Sequence, residues 1–139
     1  MTVASPEPLA LPTRFNGHFG LVIYHQNHGQ LLLRSHDRDD GGPKRIDILF
    51  KGVVWMSLPA WFESFTIEQC LIDEVIDRIP RSLRGKVESR KLYRLDIEGR
   101  PQYVIAGSVF AASDDGSYFD PSPLLPEIEV NLRFEDGAG

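Results

Sequence analysis

Between Lys44 and Lys51 the sequence KRIDILFK sets Ile46, Ile48 and Phe50 against Arg45, Asp47 and Lys51. A helix cannot gather such a set on one face, because its neighbours recur every three or four residues, whereas a strand sends alternate side chains to opposite faces. The run therefore reads as a half-buried strand. The same period returns where Tyr93, Leu95 and Ile97 alternate with Arg94, Asp96 and Glu98, and where Ile128, Val130, Leu132 and Phe134 alternate with Glu129, Asn131, Arg133 and Glu135. Segments with one wet face belong to antiparallel sheets.

Turn chemistry joins these segments into hairpins. FGLVIYH and QLLLRSH are β-prone runs separated by QNHG, where Asn27 and Gly29 supply the positive φ of a tight turn. A second hairpin turns between Glu98 and Pro101. Gly52 interrupts the alternation, leaving Val54 and Met56 opposed to Val53 and Trp55 across a bulge or bend. ESFTIEQ adds a short strand with Phe65 and Ile67 inward. Leu71, Ile72, Val75, Ile76 and Ile79 recur at helical spacing, with Pro80 stopping the helix or beginning another turn.

The expected fold is mainly β, with α+β as the alternative: an antiparallel sandwich or strongly curved sheet built from hairpins, with one short helix near residues 71–84. Residues 1–14, with Pro6, Pro8 and Pro12, read as a flexible lead-in, 15–136 as a single globular domain, and 137–139 as a disordered tail.

Composition narrows the classes. Hydrophobic residues make up 42% and charged residues 25%, ordinary globular values. No apolar run reaches the roughly 20 residues of a membrane-spanning helix, and the N-terminus lacks a signal-peptide pattern, so the expectation is a soluble, cytoplasmic chain without a membrane partner. Cys70 is the only cysteine, which excludes an internal disulfide and a cysteine-built zinc site. The net charge of −5 is distributed in blocks: −4 over residues 61–80, +4 over 81–103 and −6 over 104–139. Alternating blocks make a uniform nucleic-acid face unfavourable.

Chemical motifs are weak. His18, His25, His28 and His36 fall in one hairpin, but its turn and open end stand roughly 20 Å apart at about 3.3 Å per residue. His18 with His36, helped by Asp37 or Asp39, is the surviving metal option, and a solvated strand end is preferred to it. Ser35, His36 and Asp37 supply the residue types of a hydrolase triad, but adjacent strand residues diverge. DRDDGG lacks the later ligands of a calcium loop. No nucleotide-binding loop or nucleophile elbow occurs, and no catalytic residue, metal or cofactor is assigned. The basic segment from Arg81 to Arg94, which includes Arg84, Lys86, Arg90 and Lys91, reads as a wet face paired with Asp73, Glu74 and Asp77. Trp55 and Trp61 are read as closing one end of the core.

These readings lead to an expected non-enzymatic protein-binding or regulatory module. Its specific form would be an acidic inhibitor or immunity-type protein covering a basic partner. The expected binding surface is Asp114, Asp115, Tyr118, Phe119 and Asp120, in the most acidic third of the chain. The alternatives are a small enzyme or ligand-binding β-barrel whose site is assembled from distant strands, and a structural subunit of a homo-oligomer that pairs strand edges.

Overall fold

The computed structural model describes residues 8–26, 29–36 and 41–125. The alternating segment 127–135, Asn27, His28, Asp37 and Asp39 lie outside the described residues. The strands are β1 (Thr13–His25), β2 (Gln30–Ser35), β3 (Arg45–Lys51), β4 (Trp55–Met56), β5 (Trp61–Cys70), β6 (Lys91–Ile97), β7 (Arg100–Ala106) and β8 (Ser108–Asp114). They form one antiparallel sheet in the order β4-β7-β6-β5-β1-β2-β3-β8, not closed into a barrel. The chain enters this sheet before β1: Pro8 bridges Phe110, and the Leu9 N–H donates to the Val109 carbonyl.

Long segments carry the sheet around its bends. The first part of β1 pairs with β5 and its last part with β2, with register breaks between Phe15 and His18 and between Leu21 and Ile23. Such bulges sharpen local twist and redirect a strand. A second joint lies where β3 leads towards β4 and β7 leads into β8. Here the Gly107 N–H donates to the Lys51 carbonyl at 2.8 Å, and Gly52 has φ +70°, a conformation that favours glycine. A Cβ on Gly52 would meet the Gly107 nitrogen at 3.3 Å, so backbone approach and backbone conformation both select glycine.

The inner face is apolar. Phe19, Phe62 and Phe65 interlock, with the Phe19 and Phe65 rings edge-on at 5.1 Å, and Leu33, Ile48, Phe50, Ile67 and Leu95 complete the packing. Burying each such side chain contributes about 1.5–3 kcal/mol. Ile48, Phe50, Phe65, Ile67, Tyr93, Leu95 and Ile97 occupy the core face that their alternation assigns. The β6–β7 turn is a tight one, with Glu98 at φ 50° and Gly99 at φ 78°.

Two regions of the outer surface of the sheet are covered as well. On the side of β1, β2, β3 and β8, Ile23, Leu32 and Leu49 are buried beneath Leu124 and Leu125. On the side of β6, β7 and β4, Leu92, Tyr103 and Ile105 are buried beneath Val75, Ile79 and Val87.

Several sequence expectations change here. The amphipathic stretch after Cys70 forms two short 3-10 turns, Ile72–Glu74 and Ile76–Arg78, and the α-helix α1 (Arg81–Val87) begins after Pro80. Val75, with φ −126°, separates the two turns. The proline starts the helix because its fixed φ suits a helix entry. The bend at Gly52 groups Val53 with Met56 in the inner core and Val54 with Trp55 in the outer cluster, a different pairing from strict alternation. Arg45 and Asp47, assigned to a wet face, are 2% and 1% exposed.

Candidate interaction surface

The burial of Arg45 and Asp47 follows from register. Arg34 on β2 stands opposite Asp47 on β3, and Arg45 on β3 stands opposite Asp114 on β8. Each guanidinium grips its carboxylate with two parallel hydrogen bonds: Arg34 Nε and Nη2 donate to Asp47 Oδ1 and Oδ2 at 2.6 and 2.8 Å, and Arg45 Nε donates to Asp114 Oδ1 at 2.7 Å, with Nη2 on Oδ2. Arg34 is 1% exposed.

The remaining guanidinium donors hold a loop. Arg34 Nη1 donates to the carbonyls of Tyr118 and Asp120; Arg45 Nη1 donates to those of Ser117 and Asp120; Arg45 Nη2 donates to that of Pro121. Two side chains thus satisfy four carbonyls of residues 117–121. Buried carbonyls need such partners, and a planar guanidinium supplies several in fixed directions. Gly116 makes room for this: a Cβ there would lie 2.7 Å from Arg45 Cζ.

Side chains of the same loop reinforce its shape. Asp114 Oδ1 accepts from the Gly116 N–H at 3.0 Å, Asp120 Oδ2 from the Ser117 N–H at 2.9 Å, and Asp115 Oδ1 from the Lys44 N–H at 3.2 Å. Burial alone would raise the Asp114 carboxyl, but the hydrogen bonds from Arg45 and Gly116 outweigh it and hold the group below its ordinary range. Burial would likewise lower the Arg45 guanidinium, and Asp114 with its acidic neighbours holds it up instead.

All five residues expected to bind therefore lie together at the end of β8 and in the loop that follows it, but in different states. Asp114 is committed to Arg45. Asp115 and Asp120 are exposed, each with one backbone donor on its carboxylate. Tyr118 is half-buried, its ring 4.9 Å from His36 and edge-on to Phe119 at 5.2 Å. Phe119 stands 59% exposed. Leu124 and Leu125, in the same connector, form the strap over Leu32 and Leu49.

A second aromatic residue lies on the same outer face. Asp47, Arg34, Gly20 and Trp61 are successive partners across β3, β2, β1 and β5. Phe19 and Phe62 point into the core, so their neighbours Gly20 and Trp61 face outward. Trp61 is 82% exposed and closes no end of the core, which corrects the reading of its sequence context. Gly20 leaves the strand bare beside it: the nearest atom to an added Cβ is the Ala60 carbonyl at 3.9 Å. Trp55, by contrast, lies half-buried in the other outer cluster with Arg78 over its ring at 5.3 Å.

Sequence reasoning missed Arg34 and Arg45, the residues that shape this loop. A signal for them was present. LLL at 31–33 and ILF at 48–50 are unbroken apolar runs, which indicate strands covered on both faces and hence a cover over any charge between them.

The other candidate clusters disperse. His18 approaches Glu63 at 3.8 Å in an exposed pair, His25 sits at the hairpin end, and His36 packs on Tyr118. Among the described residues no group of three or more His, Cys, Asp or Glu side chains is placed to hold a metal. Of the basic segment, Arg94 pairs with Glu68, Glu74 and Asp96. Arg78 lies over Trp55 and Tyr103, and Arg84 donates to the Ile76 carbonyl. One open surface depression is lined by Trp61 with His18 and Glu63, and two others by residues such as Arg14, Asp96, Glu98 and Arg100. Protein-family models, curated proteins and solved structures yield no match to this chain.

Proposed function

We propose that the chain is a non-enzymatic protein-binding module that engages its partner through the loop of residues 114–120, with Trp61 extending the contact surface. The observation that supports this reading is the pairing of a fixed backbone with an exposed aromatic tip. Two buried arginines immobilise residues 117–121 through five carbonyl hydrogen bonds, and Phe119 is left in solvent. Burying two guanidinium groups carries a desolvation cost that a simple connector does not require. A loop fixed beforehand loses little conformational entropy on binding, and aromatic side chains make strong interface anchors.

The partner has an apolar recess for Phe119, and cationic or donor groups around it meet Asp115 and Asp120. An acidic inhibitor or immunity-type role is the narrower form of this proposal, with the −6 charge of residues 104–139 attracting a basic protein. Wild-type, Phe119→Ala and Trp61→Ala chains, immobilised and exposed to native lysate, test the proposal. One protein is expected at fixed stoichiometry on the wild type and lost from Phe119→Ala, whose unfolding midpoint stays unchanged. Equal retention by the folded Phe119→Ala chain would overturn it. A self-association lost in the same variant would identify the partner as a second copy.

A further inference from the structure

A depression of about 470 Å³ lies between the end of α1 and the corner of the sheet, lined by Gln26, Gly29, Gly52, Val53, Val54, Lys86, Ser89 and Arg90. This chain has 20 acidic residues against 15 lysines and arginines, yet among the described residues no carboxylate lines this place. We propose that it binds the phosphate group of a small phosphate-bearing molecule.

The side chains there are donors, and Arg90 among them is held in place. Arg90 Nε donates to the Gly52 carbonyl at 2.8 Å, and Arg90 Nη1 donates to Ser89 Oγ at 2.6 Å. These two bonds orient the guanidinium and leave Nη2 without a hydrogen-bond partner among the described residues. Because Ser89 Oγ accepts from Arg90, its own hydroxyl hydrogen remains to be donated. Lys86 adds an ammonium and Gln26 an amide N–H₂. Among the described residues neither Lys86 nor Arg90 has an ion-pair partner. A tetrahedral oxyanion satisfies this set: its oxygens accept from guanidinium, hydroxyl and ammonium together, through short charge-assisted bonds.

A purely structural role for Arg90 needs only the bond to Gly52, which holds the corner where Gly52 meets Gly107. That role does not call for Lys86 or a free Ser89 hydroxyl, and this difference makes the proposal testable. Inorganic phosphate and pyrophosphate are titrated into the isotope-labelled full chain at constant ionic strength, with sodium chloride as the matched control. Saturable shifts are expected at the amides of Gly52, Val53, Lys86 and Ser89, with half-saturation at or below about 1 mM. Lys86→Ala removes an exposed side chain and should keep the fold; it should weaken binding about tenfold, the usual loss for one charged hydrogen bond. Ser89→Ala should weaken it less. Shifts that do not saturate, that chloride reproduces, or that persist unchanged in Lys86→Ala overturn the proposal and leave Arg90 as a brace of the corner alone.

Discussion

Residues 72–87 and residues 114–125 do the same mechanical work on two regions of the outer surface of one sheet, but with opposite chemistry. The first cover lays Val75, Ile79 and Val87 on Leu92, Tyr103 and Ile105, with its charges kept at the rim. The second buries Leu124 and Leu125 but also takes two arginines and Asp47 out of solvent. An apolar cover is tolerant: it holds by area, and neighbouring side chains relax around small changes. A guanidinium clamp is directional, and it fixes backbone carbonyls one by one. The difference teaches where shape is specified on this molecule. The helical cover shields the sheet, while the clamped cover also defines the course of a loop.

The largest expected effect tests whether β3 is buried on both faces. Ile48→Asp places a carboxylate in the inner core, and Arg45→Asp sets one against Asp114 while removing three hydrogen bonds to loop carbonyls. Both substitutions should abolish cooperative unfolding in urea. If Arg45→Asp keeps a wild-type transition, the clamp has no structural weight and the contrast between the covers disappears.

The next effect compares the covers directly. Asp47→Ala leaves Arg34 charged and buried without its carboxylate, a loss of about 3–5 kcal/mol. Ile79→Ala, on the apolar cover, should cost about 2–3 kcal/mol, at the lower end for a large-to-small change because a short cover segment can relax towards the gap. The two should also differ in kind. Hydrogen exchange in Asp47→Ala should rise in residues 117–121, whereas in Ile79→Ala it should rise in residues 72–87. Matching exchange patterns would mean that the covers are one cooperative unit.

A smaller effect concerns acid. Asp114 has a folded-state pKa below its unfolded value of about 3.9, so the folded state binds its proton less readily. Its contribution is present above about pH 4–5 and is lost as pH falls through the depressed folded value. Asp114→Asn should remove that part of the acid sensitivity and cost up to about 1 kcal/mol at pH 7, discounted because the carboxylate is partly solvated. The smallest effect lies on the helical side. Glu74→Gln in the half-exposed Arg94 cluster should change stability by no more than about 0.5 kcal/mol in urea unfolding.

Much of the inner architecture was legible in the sequence. Alternation put Ile48, Phe50, Tyr93, Leu95 and Ile97 on the core face, and the glycines of QNHG and IEGR marked both hairpins, because these are local rules of strand and turn geometry. The outer faces were less legible. The strap that covers Arg45 and Asp47 comes some 70 residues later in the chain, and a local period carries no information about a distant segment. The same reasoning explains the candidate loop. Its composition drew attention to Asp114, Tyr118 and Phe119, but the arginines that organise it sit on β2 and β3, where a charged residue reads as solvent-facing. Trp61 was misread for a related cause: its neighbour Phe62 supplies the core aromatic, and one position along a strand exchanges inside for outside.

The order of strands also bears on how the chain is made. β3 has β2 as one neighbour almost at once, but its other neighbour, β8, is synthesised some 60 residues later, and Leu124 and Leu125 later still. During that interval a nascent chain carries β3 with an unpaired edge, and Leu32, Leu49, Arg34 and Asp47 stand uncovered. Such an edge is a template for pairing with other chains. The stretch from Lys51 to Leu125 is therefore the interval of synthesis in which this edge is open to pairing with other chains.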